Sequence, residues 1–321
     1  MGFSDHDSPF HFGELAIQNR AGVRERAQTI GQRSIRSHLL EQHQEFFAKV
    51  PFVVFGALDD HRKPWASLLA GSPGFIQVPD AYSLHIGALP APDDPLAGTL
   101  HIGNDIGLLG IETTSRRRNR LNGSLLSLGD GGMVIRVKQS FGNCPKYIQV
   151  RSLETRQYVA APLPPQSAIA LDDAAISLIR SSDTFFIATH AVSAENPRAN
   201  GADVSHRGGK PGFVRVDDQA TLVWPDFIGN NFFNTLGNLY LNPSAGLLFP
   251  DFNSGDLLYL TGKCEIVWEG HEVDAFEGAQ RLVRFHVEGM YRRPRYLPWR
   301  FSAPEPSPFL ADTGEWLPRK T

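Results

Sequence analysis

The chain has 321 residues, a formal net charge of −3 and a sequence pI near 6.4. This length allows one large domain or two of ordinary size, and the charge balance gives no general attraction for nucleic acid or an anionic membrane. The only cysteines, Cys144 and Cys264, are too few for a disulfide framework and have no paired spacing for a metal ion, which favours a reducing compartment.

The N-terminal residues 1–27 are polar and acidic, whereas a secretory signal needs a basic start and an unbroken apolar stretch. Nowhere does the chain reach the roughly 18 consecutive apolar residues that a membrane span needs. We therefore expect a cytoplasmic protein with neither a membrane nor a nucleic acid as its partner.

The first predicted element is an amphipathic helix from Gln32 to Lys49. Its apolar residues Ile35, Leu39, Phe46 and Phe47 fall near helical spacing among charged neighbours. Such a helix is expected to cover one end of a sheet.

Short apolar segments separated by Gly, Pro and Asp follow the predicted helix. They read FVVFGALDD, GFIQV, SLHIGAL, IGLLGIET and GSLLSLGDGGMVIRVKQS. Short strands with turn residues at near-regular spacing predict a β-barrel or a β-sandwich.

The second half of the chain repeats motifs of the first half in the same order. Pro-Gly-Phe at 73–75 returns at 211–213, and Gly-Leu-Leu at 107–109 returns at 246–248. Collinear recurrence at a nearly constant spacing predicts two copies of one β-rich unit. The segment LDDAAISLIRSSD is expected to form a helix that opens the second copy.

These features divide the chain into five predicted parts. They are an N-terminal extension (1–31), a first barrel domain (32–160), a Pro-rich linker (161–168), a second barrel domain (169–290) and a Pro/Arg-rich C-terminal tail (291–321).

The second copy reads SHRGGKPGFVRV, then LVWPDFIGNNFFNTLGNLYLNPSAGLLF, then LYLTGKCEIV. This order of motifs resembles the FMN-binding split barrels of the pyridoxamine 5'-phosphate oxidase-related family, and the first copy follows the same plan. The resemblance implies a mainly β (α+β) fold of two tandem FMN-binding-type split β-barrels with short flanking helices, packed as a pseudo-dimer within one chain. It also implies FMN as the cofactor.

The sequence departs from the vitamin-making oxidases of that family. Those enzymes carry an Arg-x-x-x-Leu-Lys element where this chain reads ADVSHRGG, and a Ser-Arg-Lys cluster where it reads GNNFFN. The resemblance therefore implies the class of cofactor and leaves the substrate and electron donor open.

Ser205, His206 and Arg207 are the first candidates for cofactor binding. On an extended segment, Ser205 and Arg207 share one face and His206 takes the other, so a hydroxyl and a guanidinium can act on one anion. The alternative is a solvent-exposed hairpin with a basic tip.

Further candidates follow the strand ATLVW, where Asn and Asp side chains suit ribityl hydroxyls and a loop of backbone N–H groups suits phosphate. The alternative is that they only cap and turn a loop before a helix at 234–241. These candidates are Trp224, Pro225, Asp226, Asn230, Asn231 and Asn234.

The run TSRRRNRLNG is similar to the family's Arg-Gln-x-Arg strand, which implies that Arg117 and Arg118 reach the flavin from the first barrel. An exposed basic edge strand is the alternative reading. Lys146, in the segment NCPKYI, is a further candidate near the cofactor.

The resulting hypothesis is an FMN-dependent oxidoreductase that carries out a two-electron transfer on a small molecule, with no catalytic acid or base assigned and no metal. Two alternatives stay open: a haem-binding or haem-degrading protein with His206 or His286 as axial ligand, and a non-catalytic flavin-binding protein. The first copy has Leu68-Leu69 in place of His206-Arg207, which predicts one ligand site per chain. Exposed barrel faces leave room for a homodimer.

Overall fold

The computed structural model describes residues 8–155 and 163–316. Its N-terminal helices are α1 (Phe12–Arg20), α2 (Arg24–Ser34) and α3 (Glu41–Lys49). Parts of the predicted extension (1–7), first barrel domain (156–160), linker (161–162) and tail (317–321) lie outside the described residues. Among the described residues, no helix has the length and apolar character to cross a membrane.

The first half of the chain forms a seven-stranded antiparallel sheet in the order β2-β1-β5-β6-β7-β4-β3. Its strands are β1 (Phe52–Leu58), β2 (Pro64–Ala70), β3 (Ile76–Asp80), β4 (Ser83–Ile86), β5 (Asp105–Glu112), β6 (Arg117–Gly129) and β7 (Gly132–Gly142).

The second half forms an eight-stranded sheet in the order β11-β10-β14-β15-β16-β13-β12, to which β9 adds by pairing with β16. Between the sheets along the chain lies β8 (Leu153–Thr155). The elements that follow are β9 (Gln166–Ala168), α4 (Asp173–Ser181), β10 (Thr184–Ala191), β11 (Gly201–Gly208), β12 (Arg215–Asp218), β13 (Thr221–Phe227), α5 (Asn234–Leu241), β14 (Ser244–Pro250), β15 (Leu257–Val267), α6 (His271–Asp274) and β16 (Ala279–Arg293).

The two sheets share one strand order, because replacing β1–β7 by β10, β11, β12, β13, β14, β15 and β16 turns the first order into the second. The predicted fold class is therefore confirmed: the protein is mainly β, with two split-barrel units and short helices around them. The predicted domain boundaries stay predictions.

The single helix predicted from Gln32 to Lys49 is wrong, because α2 ends at Ser34 and α3 starts at Glu41. The backbone between them pairs with the first sheet instead. Arg36 N donates to Ser140 O at 3.0 Å and Ser140 N donates to Arg36 O at 2.7 Å. Backbone groups bonded to a neighbouring strand cannot also close a helical turn.

The two units meet face to face through an apolar cluster that both contribute. Val54 and Leu68 from the first unit pack with Phe186 and Val204 from the second. The backbones of the two units also approach closely: a Cβ atom on Gly107 would lie 2.8 Å from the backbone of Asp203. Glycine is needed there because only it lets two backbones approach this closely.

The C-terminal tail packs against the rest of the protein. After β16, strand β17 (Trp299–Phe301) pairs with β8, and Phe301 packs against Phe52 of the first unit with ring centroids 6.3 Å apart. The tail therefore joins both units.

We predict that Gly107→Val weakens the contact between the units and lowers the free energy of unfolding by about 1–3 kcal/mol. The reason is that a side chain at 107 meets backbone, which cannot rotate away. Urea denaturation measures the effect. Gly129→Ala is the control, since a Cβ there meets nothing within 4 Å; equal stability of the two variants would contradict the prediction.

Candidate functional site

A cleft of about 190 Å³ opens between the two units at the edge strand β11. The second unit contributes β11, the end of β13, the loop 228–233 and the first turn of α5, and the first unit contributes β6. Ala21 and Val23 from the N-terminal helices also line it. The cleft is smaller than an ordinary ligand pocket of about 300–1,000 Å³, so a larger ligand must extend beyond it.

The carboxylate of Asp226 forms ion pairs with two arginines of the cleft. Its Oδ1 accepts a hydrogen bond from Arg207 at 2.8 Å, and its Oδ2 accepts one from Arg281 at 3.0 Å. Asp226 and Arg281 are opposite each other in the β13–β16 register. Because one carboxylate pairs with two guanidinium groups, these three side chains together have a net charge of one positive unit.

Arg120 is buried and belongs to a compact polar network under the cleft. One of its NH groups donates to Asp203 at 2.7 Å and to Asn234 at 3.2 Å, and the other contacts the Ser205 hydroxyl. Ser205 Oγ is also 2.6 Å from Thr235 Oγ1. The Arg120–Asp203 pair is close to neutral and positions Ser205 at the floor of the cleft.

Arg118 is the cleft arginine without a carboxylate partner among the described residues. Its Nε donates to the carbonyl oxygen of Cys144 at 2.9 Å, and its NH1 donates to that of His206 at 3.4 Å. Burial and the positive charges of Arg120 and Arg207 lower its pKa to about 9. Because arginine stays protonated at neutral pH, the lowered pKa marks an uncompensated positive charge.

Several buried nitrogen atoms around the cleft have no hydrogen-bond partner among the described residues. A buried donor left unpaired costs about 1–3 kcal/mol, so such a group in a cleft is available to a ligand. These atoms are His206 Nε2 and the Nε atoms of Arg120, Arg207 and Arg281.

The loop that closes the cleft has an unusual backbone. Asn231 and Phe233 both have a φ of 62°, a left-handed conformation that asparagine tolerates and that is strained for a bulky residue. Phe233 immediately precedes α5, and the first-turn residues Asn234, Thr235 and Leu236 of that helix line the cleft. A helix N-terminus in this position favours an anion.

Glu14 of α1 lies buried beneath this network. Its Oε2 accepts from the backbone N–H of His11 at 2.9 Å and its Oε1 accepts from Asn234. Burial raises the pKa of Glu14 to about 8, so the carboxyl is mostly protonated at neutral pH. It therefore does not cancel the positive charge of the cleft.

The structure brings most of the sequence-predicted residues together. At the cleft lie Ser205, His206, Arg207, Asp226, Asn230, Asn231, Asn234 and Arg118. All three residues of the Ser205–Arg207 segment reach it because β11 is the edge strand of its sheet.

Four predicted residues lie elsewhere. Trp224 is buried in the core of the second unit, with its ring centroid 5.1 Å from that of Phe185. Arg117 is exposed on the other face of β6 and donates to the backbone oxygen of Gln42 at 2.7 Å. Pro225 and Lys146 line a smaller neighbouring cavity.

Three important residues were not predicted as site residues. Arg120 follows Arg118 by two positions on β6, so strand alternation was the signal that could have found it. Arg281 and Glu14 come to the site through strand pairing and helix packing, and no local sequence pattern marks them.

No protein-family model matches the chain, and no curated protein matches it. Similar solved structures include a candidate pyridoxamine 5'-phosphate oxidase from Lactobacillus delbrueckii, 15% identical, covering 38% of this chain and 94% of that chain with a TM-score of 0.31. A FAD-binding protein from Mesorhizobium loti is 11% identical, covering 41% of this chain and 99% of that chain with a TM-score of 0.27. An FMN-binding protein from Syntrophomonas wolfei is 14% identical, covering 36% of this chain and 81% of that chain with a TM-score of 0.25.

Each of these three structures matches between 36% and 41% of this chain. Such low identities and TM-scores assign neither a ligand nor an activity to this chain.

We predict that Glu14→Gln reduces the pH dependence of stability. A raised native pKa means that the native state keeps a proton that the unfolded chain has lost, so the free energy of unfolding falls as pH rises from about 4.5 to about 8. Glutamine cannot ionise, so this loss, on the order of a few kcal/mol, is expected to disappear.

Urea denaturation at pH 5 and pH 8 measures the difference. Glu269→Gln, at an exposed position, is the control and should keep the wild-type difference. The same difference in Glu14→Gln as in the wild type would show that Glu14 is ionised throughout this range.

Proposed function

We propose that the cleft binds the phosphate end of FMN and that the protein is a flavin-dependent oxidoreductase acting on a small molecule. The observation that carries this proposal is the charge of the site. Among the described residues, the carboxylates of Asp203 and Asp226 are the only ion-pair partners of the four cleft arginines, Arg118, Arg120, Arg207 and Arg281. Two positive charges are left over, and a phosphate monoester carries about −1.5 to −2 at neutral pH.

The residues present fit a phosphate monoester in kind as well as in charge. Guanidinium groups match phosphate oxygens with paired donors. Arg118 and Arg281 each have guanidinium N–H groups beyond those used by the carbonyl and carboxylate contacts described above. The first turn of α5 adds backbone N–H groups, and Asn230 and Asn231 supply amides suited to ribityl hydroxyls.

FMN would supply two-electron chemistry when bound. The role of this chain is then to anchor and orient the cofactor. Arg118 and Arg120 from the first unit and Arg207 and Arg281 from the second would hold one anion between them. The cleft would therefore be incomplete in either unit alone.

One observation favours haem as a second candidate: His206 Nε2 is buried and has no hydrogen-bond partner among the described residues. Burial lowers the pKa of His206 well below its ordinary value, so the imidazole is neutral, as an axial ligand must be. A porphyrin also needs a wide apolar slot, whereas the walls here are dominated by arginine, asparagine and aspartate. We therefore favour the flavin.

We predict that Arg118→Gln weakens FMN binding about tenfold to a hundredfold, because a charge-assisted hydrogen bond contributes about 1.5–3 kcal/mol. Quenching of FMN fluorescence during titration measures the dissociation constant. Arg117→Gln is the matched control, since Arg117 is adjacent in sequence and lies away from the cleft.

If both variants weakened FMN binding equally, the binding would depend only on the overall charge of β6. A wild-type protein that binds no FMN would overturn the proposal. A Soret band that His206→Ala abolishes would establish haem in its place.

Other expectations from the sequence accompany the proposal. A cytoplasmic location is favoured by the two unpaired cysteines, and a homodimer of whole chains stays a prediction.

A further inference from the structure

A smaller cavity of about 60 Å³ adjoins the cleft, and we name it the side pocket. It shares five lining residues with the cleft: Arg118, His206, Arg207, Phe227 and Gly229. The residues that line the side pocket but not the cleft are Cys144, Lys146, Tyr147, Gly208, Phe213 and Pro225. Since one water molecule needs a cavity volume of about 10–15 Å³, the side pocket has room for a group of a few heavy atoms.

The side pocket is lined by cations and, among the described residues, by no carboxylate. Arg118 and Lys146 contribute positive side chains without a carboxylate partner among these residues, whereas Arg207 is paired with Asp226 at 2.8 Å. The Lys146 ammonium lies 5.1 Å from the centre of the Phe309 ring and forms no ion pair with the described residues. A group that enters this space is therefore expected to be negatively charged.

A buried hydrogen-bonding atom is also available there. The His206 side chain is 5% exposed and packs edge-on against Phe186, with ring centroids 5.7 Å apart, while its Nε2 has no partner among the described residues. Burial, Arg118 and Arg207 keep this imidazole neutral by lowering its pKa. A neutral imidazole can donate one N–H to an oxygen without adding charge.

One wall of the side pocket is aromatic. The Tyr147 ring lies 5.0 Å from that of Phe227 at an angle of 37°, and the Tyr147 hydroxyl donates to the backbone oxygen of Ile228 at 3.2 Å. Tyr147 itself has a φ of 64°, a conformation that is strained for a bulky residue, and it lines the side pocket together with the cations. Such a wall suits a flat apolar group attached to the anion.

We propose that the side pocket is the substrate subsite of the proposed flavin site and binds a small molecule through its carboxylate. The carboxylate meets Lys146 and His206, and the planar part of the substrate lies against Tyr147 and Phe227. This inference rests on the proposed function for its link to the flavin, while the recognition of a carboxylate rests on the side pocket alone.

The test uses isothermal titration calorimetry with benzoate as the probe and with benzamide, its neutral analogue, as the control ligand. Benzoate should bind to the flavin-free and to the FMN-saturated protein, and benzamide at least tenfold more weakly. Lys146→Gln should weaken benzoate binding at least fivefold and leave FMN binding within twofold. Lys146 is partly exposed, so this variant is expected to fold.

Arg281→Gln is the reciprocal variant, because Arg281 lines the cleft and not the side pocket. It should weaken FMN binding and leave benzoate binding within twofold. Arg281→Lys, which can keep an ion pair with Asp226, replaces it if the glutamine variant does not fold.

Equal binding of benzamide and benzoate, or unchanged benzoate binding in Lys146→Gln, would overturn the inference. Binding of benzoate without any binding of FMN would support the carboxylate site and reject its flavin partner. The two failures are therefore distinguishable.

Discussion

The close contact between Gly107 and the backbone of Asp203 determines where the site can form. It lets β5 and its neighbour β6 lie directly against β11 of the other unit. Arg120 then reaches across to Asp203 and Ser205, and Arg118 reaches the backbone of His206. The basic cleft is thus a product of the interface, and neither sheet contains it alone.

The equivalent position in the other half of the pseudo-dimer is closed. Ser67 of β2 takes the place of Ser205, and Tyr259 of β15 takes the place of Arg120. There Arg293 pairs with Asp94 at 3.0 Å and with Asp93 at 2.6 Å. Because a side chain of the protein already supplies the cation and two carboxylates balance it, this position has no surplus charge for an anionic ligand. This asymmetry supports the prediction of one site per chain.

Much of the fold could be predicted from the sequence because it depends on local patterns. Short apolar segments with turn residues predicted the strands, and recurring motifs predicted two copies of one unit, with which the shared strand order agrees. The break between α2 and α3 could not be predicted in this way. It depends on the backbone pairing of Arg36 with Ser140, which is distant along the chain.

Like the fold, the candidate site has residues that local sequence patterns mark and residues that only long-range contacts bring into place. Ser205, Arg207, Asp226 and the asparagines lie on segments whose composition marks them, and the structure places them at the cleft. Arg117 lies away from the cleft because the register of β6 decides which of two adjacent arginines faces inward, and the resemblance did not fix that register.

The central claim is that only one of the two equivalent positions between the units binds FMN. Native mass spectrometry of the protein with excess FMN tests this claim by counting ligands per chain. One FMN per chain is the predicted result, whether the chains are single or paired. Two per chain would show that the Arg293–Asp94 position is open, and none would show that the basic cleft serves a different anion.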